Sequence, residues 1–222
     1  MKWASHMQRL GRWCALATMQ INRRMERVLF KSVLRAWLLL AICIFLSACS
    51  PKLNWRTVQS PEQRYTALFP AKPDKLERKI PYQGQELKQF LEAVKIEDDI
   101  YSISSIQVPA NQSNSAQKII DQLQSHLLDK ARGSGGNVLI EDAFYQTASR
   151  QRFPTKDYFI AFSASGKIQQ TMRVRWILRP IESGGVWIYQ ASVLHTNAND
   201  TDIKTALSTE EYVNFFNEFH PQ

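Results

Sequence analysis

Residues 156–194 leave this chain the least choice of fold. The segments "KDYFIAFS" (156–163), "KIQQTMRVRWIL" (167–178) and "VWIYQASVL" (186–194) are separated by Ser165-Gly166 and Ser183-Gly184-Gly185. Side chains alternate across a strand, so Met172, Val174, Trp176 and Leu178 share one face. Arg173, Arg175, Ile177 and Arg179 share the other. Connections this short join antiparallel neighbours, because a parallel pair needs a long crossover. An antiparallel meander of three strands is therefore expected, and the rest of the domain must pack against it.

The remaining segments follow the same logic. "LNWRTV" (53–58) and "QRYTALF" (63–69) flank the turn-like Gln59-Ser60-Pro61-Glu62 and read as a hairpin. Pro70 and Pro73 end its second strand. Residues 74–85 are polar and loop-like, with Lys79-Ile80-Pro81-Tyr82 as a short edge segment. "ELKQFLEAVKIE" (86–97) carries two periods: Leu87, Phe90, Leu91 and Val94 suit a helix, whereas Phe90, Val94 and Ile96 suit one strand face. Strand is preferred, because Glu97-Asp98-Asp99 then turns into the strand "IYSISSIQV" (100–108).

Ile119, Ile120, Leu123, Leu127 and Leu128 form one helical face, with Ser113 or Ser115 as the cap and Gly133 as the stop. A strand follows near 137–147. A closing helix is expected from about Thr209 to Phe219, with Ser208 and Glu211 at capping-box spacing and Tyr212, Phe215, Phe216 and Phe219 on one side. The expected class is α+β: an antiparallel sheet with two amphipathic helices, in a single domain over residues 53–222. A chain of that length buries enough surface to need neither disulfide nor metal. An early hairpin with Trp55, Tyr65 and Phe69-Pro70, a central helix, a long meander and a final aromatic Tyr212–Phe219 helix resemble the PsbP-type fold. That fold occurs in extrinsic photosystem subunits and in small bacterial lipoproteins. The resemblance lies in element order. It implies a sandwich and a binding or assembly module, with no shared active site.

Upstream, Ala36 to Ala48 is almost wholly apolar and follows Arg27, Lys31 and Arg35. A bilayer-spanning helix needs about 20 apolar residues, so this run is too short to span and matches a secretory signal. It ends in Leu46-Ser47-Ala48-Cys49, which resembles the bacterial lipoprotein box. The resemblance implies a diacylglyceryl thioether on Cys49, cleavage before it, and usually a third acyl chain on the new amino terminus. Residues 1–48 would then be the signal peptide, and 49–52 a lipidated tether. Met25 begins an ordinary signal by itself, so residues 1–24 read as an upstream extension from a misplaced start, the competing reading being a real amphipathic leader. Ser50 follows the cysteine, where enterobacterial lipoproteins retained in the inner membrane carry Asp. By that resemblance the protein is expected in the outer membrane, facing the periplasm.

Processing changes the chemistry that is available. The three cysteines are Cys14, Cys43 and Cys49: two are removed and one is acylated, which leaves no thiol nucleophile, thiolate metal site or disulfide. The whole chain carries +8, but residues 1–48 hold eight Lys/Arg and one acid, leaving 20 bases against 19 acids. The basic character thus belongs to the signal and gives no argument for nucleic acid.

Few residues propose themselves as a site. Gly133-Ser134-Gly135-Gly136 follows a helix and precedes a strand, the wrong order for a phosphate loop and the right one for a helix stop. His126, His195 and His220 have no metal-ligand spacing. Glu141 and Asp142 point to opposite faces of a strand and make poor acid–base partners. The strongest surface feature is the row Arg173, Arg175 and Arg179, with Arg150 and Arg152 near it. Guanidinium suits carboxylate and phosphate, so this row is the candidate site for an anionic glycan, lipid or envelope protein. The competing reading is a solvated sheet face, paired with acids on neighbouring strands such as Glu141 or Asp142 or partly covered by a helix. The expected function is a non-catalytic binding or assembly module in the bacterial envelope, without cofactor or metal. The alternative is a periplasmic hydrolase with a dispersed site. Replacing Cys49 with Ser is expected to abolish lipid labelling and leave an unprocessed precursor, measured by incorporation of labelled palmitate.

Overall fold

The computed structural model describes residues 53–82, 84–198 and 202–222. The signal, the Cys49 lipidation position and the whole 49–52 tether lie outside them. Among the described residues no helix is long and apolar enough to cross a membrane. Residues 53–222 form one unit.

The hairpin forms from β1 (Arg56–Ser60) and β2 (Tyr65–Phe69), with β10 (His220–Pro221) on the free side of β2. The expected turn shifts by two residues. Ser60 pairs with Tyr65, and the turn is closed by a bond from the Arg64 amide to the Pro61 carbonyl, with Arg64 at φ +58. A second sheet has seven strands in the order β3-β4-β5-β9-β8-β7-β6, all antiparallel. Its members are β3 (Asp74–Tyr82), β4 (Gln85–Ile96), β5 (Asp99–Val108), β6 (Val138–Gln146), β7 (Arg152–Ala164), β8 (Lys167–Pro180) and β9 (Val186–His195). The meander β7-β8-β9 is as expected. The ambiguous 86–97 segment is strand, with Phe90, Val94 and Ile96 packed in one cluster. The polar stretch 74–82 is not a loop. It is a full edge strand in register with β4 from Asp74–Ala93 to Tyr82–Gln85. Apolar periodicity could not reveal it, because its side chains are almost all exposed.

Each face of the large sheet has its own cover. Helix α1 (Ala116–Gly133) lays Ile119, Ile120 and Ala131 against Ile106, Ile160, Val174, Trp176 and Ile188. It begins without the expected serine cap: a 3₁₀ turn, Ala110–Ser115, runs straight into it, and Ser115 makes no side-chain capping bond. The opposite face is covered by the small sheet together with α2 (Ile203–Ala206) and α3 (Glu210–Asn217). Tyr212, Phe215, Phe216 and Phe219 are buried there among Tyr65, Phe69, Tyr101 and Tyr189. The predicted capping box is absent. Thr209 holds the N-cap position of α3 without a side-chain bond.

The stop of α1 depends on one glycine. The amide of Gly136 donates to the Ala131 carbonyl at 2.9 Å, and the chain then passes so close to β7 that a Cβ at Gly136 would lie 1.9 Å from the Ala161 carbonyl oxygen. No side chain fits without moving backbone. Gly136→Ala is expected to destabilise the fold by at least about 2 kcal/mol, as a backbone clash with no flexible neighbour to yield. Chemical denaturation measures it, and Gly133→Ala, where a Cβ meets nothing within 4 Å, is the control.

Candidate functional site: a groove beside strand β6

Arg173 and Arg175 lie on the face of β8 that α2 and α3 cover. Neither is a surface residue: Arg173 is 7% exposed and Arg175 2%. Both turn to one carboxylate, Asp157 on β7, which is 3% exposed. The register explains the geometry, since Asp157 pairs directly with Arg175 and the neighbouring position Phe159 with Arg173. Arg175 donates from Nε to Asp157 Oδ1 at 2.6 Å and from Nη2 to Oδ2 at 2.9 Å. Arg173 donates from Nη2 to Oδ2 at 2.6 Å and from Nε at 3.1 Å. Burial alone would push the Asp157 carboxyl up. The bonds and charge of Arg175, then of Arg173, outweigh burial and hold it below the usual carboxylate range.

Two cations on one anion leave a surplus positive charge, and the C-terminal segment answers it. Arg173 Nη1 donates to the Leu207 carbonyl at the end of α2 at 3.3 Å, and Arg175 Nη1 to the Phe216 carbonyl in the last turn of α3 at 3.0 Å. Carbonyls at a helix end lack intrahelical partners and carry the negative end of its dipole, so guanidinium is a suitable cap. The Phe216 ring also lies under both guanidiniums, 4.4 Å from Arg173 Cζ and 5.3 Å from Arg175 Cζ.

This triad floors a groove of about 700 Å³. One wall is β6, every residue of which from Glu141 to Gln146 lines it; the other is α3, through Val213 and Asn217. Glu141 binds Lys204 Nζ at 2.6 Å, and Glu218 and Arg152 stand at the rim. The groove is polar and mixed in charge.

Arg173, Arg175 and Arg179 therefore do not form an outward stripe, and that expectation is corrected. Arg173 and Arg175 are consumed in structural bonds because the sheet is covered on both faces. The partner is Asp157 rather than Glu141 or Asp142. Arg179 lies beside the Phe153 ring, 5.1 Å from its centroid, with a buried Nε that has no hydrogen-bond partner. Arg152 is exposed and sits 4.1 Å over Phe144. Arg150 is exposed on the turn between β6 and β7, at φ +63. Arg150 and Arg152 are the two fully exposed members of the group, and Arg179 is half-buried. Glu141 and Asp142 point apart, as expected: Glu141 faces the groove floor and Lys204, while Asp142 is exposed.

A histidine–carboxylate pair does form. His195 Nδ1 lies 2.7 Å from Asp99 Oδ1, which also accepts from Tyr212 Oη at 2.8 Å. Burial and Asp99 push the Tyr212 phenol up, so it stays a donor. His195 Nε2, however, meets the Asn197 carbonyl at 3.2 Å, not a hydroxyl. A base needs a nucleophile at that nitrogen. The cluster joins the start of β5 to the end of β9 and to α3. His220 bonds the Gln146 carbonyl at 3.1 Å, and His126 is exposed on α1. The sequence did not reveal a second buried acid, Glu92 on β4, which is 3% exposed and accepts from Ser60 and, at 2.9 Å, from Lys75. Only the sheet-on-sheet contact brings Ser60 to it.

Asp157→Asn is expected to cost about 3–5 kcal/mol, because it leaves two buried cations without their counter-charge. The same residue gives an acid limb. Its folded pKa is depressed, so its contribution is fully present above the ordinary carboxylate range and is lost as pH falls through the lowered value. Stability followed by denaturant titration from pH 6 downward is expected to fall less steeply in Asp157→Asn than in the wild type.

No protein-family model matches the chain, and no curated protein matches its sequence.

Proposed function

We propose that this chain is a lipid-anchored protein of the bacterial outer membrane, facing the periplasm, that binds or helps assemble an envelope component without catalysing a reaction. The observation that carries the binding reading is the groove beside β6. It is large and polar, yet the strongest charges on its floor are spent on Asp157 and on helix-end carbonyls. Charges held in that way shape a surface and are not free to move protons. The Leu46–Cys49 box supports the lipid anchor, and Ser50 supports transfer to the outer membrane. The succession of hairpin, central helix, meander and aromatic closing helix supports the finer reading of a PsbP-like sandwich.

The anionic-partner reading narrows to Arg150 and Arg152. Crosslinking in intact envelopes, followed by fractionation, tests the whole proposal. The protein is expected in the outer-membrane fraction with a crosslinked partner. Arg150→Gln with Arg152→Gln is expected to change stability by less than about 0.5 kcal/mol, since both are exposed. It should weaken capture most at low salt, where charge attraction is least screened. Residence in the inner membrane would refute the location. Capture unchanged in the double variant at low salt would refute the anionic contact.

A further inference from the structure

The two edges of the seven-stranded sheet are built differently. Strand β3 is defended as edge strands usually are. It carries Lys75, Glu77, Arg78, Lys79 and Pro81, and its charges pair into β4 through Lys75–Glu92, Lys79–Glu86 and Lys88–Glu77. Strand β6 has no proline and no lysine, and three of its nine residues, Leu139, Ile140 and Phe144, are exposed large hydrophobics.

The groove lies against this undefended edge. Successive strand residues point to opposite faces, so a groove touched by all of 141–146 must run along the strand's edge, against its backbone. Both ends of β6 are closed: Asn137 Oδ1 accepts from the Val138 amide at 2.8 Å, and His220 takes the Gln146 carbonyl. Between them, residues 139–145 have no backbone partner beyond β7 among the described residues. This is a sheet edge with a ready-made trough beside it.

We propose that the β6 edge takes an extended segment of another protein as an eighth strand, with apolar side chains beside Ile140 and Phe144 and a basic side chain opposite Asp142. The proposal deepens the binding reading and rests on it. Main-chain bonds would supply the affinity and the alternating side chains the selectivity.

Charge disfavours a second copy in the register that matches Ile140 with Phe144. A second copy pairing antiparallel through β6 would set Ile140 against Phe144 only in the register that sets Asp142 against Asp142, and directly opposed like charges destabilise a ladder. A foreign strand carries no such constraint. Lys156, which pairs with Asp142 on β7, does not reverse the preference. A residue on an added strand lies about 5 Å from Asp142 but about 10 Å from Lys156, since strands are about 4.8 Å apart. Coulomb energy falls with distance, and a separation near the Debye length is screened further.

The test uses the purified full chain in detergent with two capped heptapeptides, Thr-Val-Thr-Lys-Thr-Val-Thr and the same sequence with Glu in place of Lys. Backbone amide shifts are followed by NMR. The Lys peptide is expected to shift amides within 138–145 and to bind about twofold to fivefold more tightly than the Glu peptide, the range of a cross-strand charge pair. Asp142→Lys, an exposed change, should reverse that order. Millimolar peptide that leaves the β6 amides unmoved, shifts at β3 instead, or equal binding of both peptides would overturn the proposal. So would sedimentation as a dimer that Ile140→Lys dissolves, which would assign the edge to a second copy. Failure here with an intact crosslinked partner in envelopes would remove strand addition and leave the binding reading. Peptide binding without any envelope partner would do the reverse.

Discussion

The closure of this domain turns on one carboxylate shared by two guanidiniums. Asp157, Arg173 and Arg175 sit on the covered face of the large sheet, where desolvation costs several kcal/mol per ion. Two compensations make that arrangement stable. Paired hydrogen bonds spend the charge locally, and carbonyls at the ends of α2 and α3 take the remaining donors. The greater stabilisation is apolar. Burying a Phe-sized side chain gives roughly 1.5–3 kcal/mol, and Phe215, Phe216 and Phe219 are each at most 1% exposed. The aromatic helix supplies the driving force for closure. The triad fixes where it lands, because only one placement brings both helix ends to the arginines.

The same placement creates the groove. With α3 held over β8 by Arg175 and α2 tied to β6 through Lys204–Glu141, the edge of β6 is left beside a trough and is not covered. At the far edge, charged side chains of β3 pair with those of β4. One sheet thus has an edge crossed by ion pairs and an edge beside a groove, and the asymmetry follows from which strand the C-terminal segment packs beside.

Much of the architecture was legible because it depends on short-range periodicity. The meander, the hairpin, the α1 stripe and the α3 aromatics all declare themselves within a dozen residues. Strand β3 did not, since an exposed edge strand has no apolar face to repeat and is held by its pairing to β4. Serine caps were expected at Ser113 or Ser115 and at Ser208, but a 3₁₀ lead-in and the Thr209 boundary replaced them. The arginine row misled for an instructive reason. Alternating Arg on a strand reads as a wet face, and only a count of apolar elements warns otherwise. The α1 stripe, the Tyr65–Phe69 hairpin and the α3 aromatics together need more covered area than one sheet face offers.

By itself the sequence determined the strand order of the meander, a mostly antiparallel sheet with a few helices, and the basic, then apolar, segment that ends at Cys49. These rest on patterns with periods of two and 3.6 residues, or on a run of defined length, and need no distant partner. Tertiary structure alone decided that Arg173 and Arg175 are buried, that Asp157 is their shared anion, that Ser60 meets Glu92, and that β6 stands open beside a groove. Each of these joins side chains or edges brought together by strand register and layer packing. Register and packing are set by the whole fold, because a ladder can be read only when both of its strands are in place.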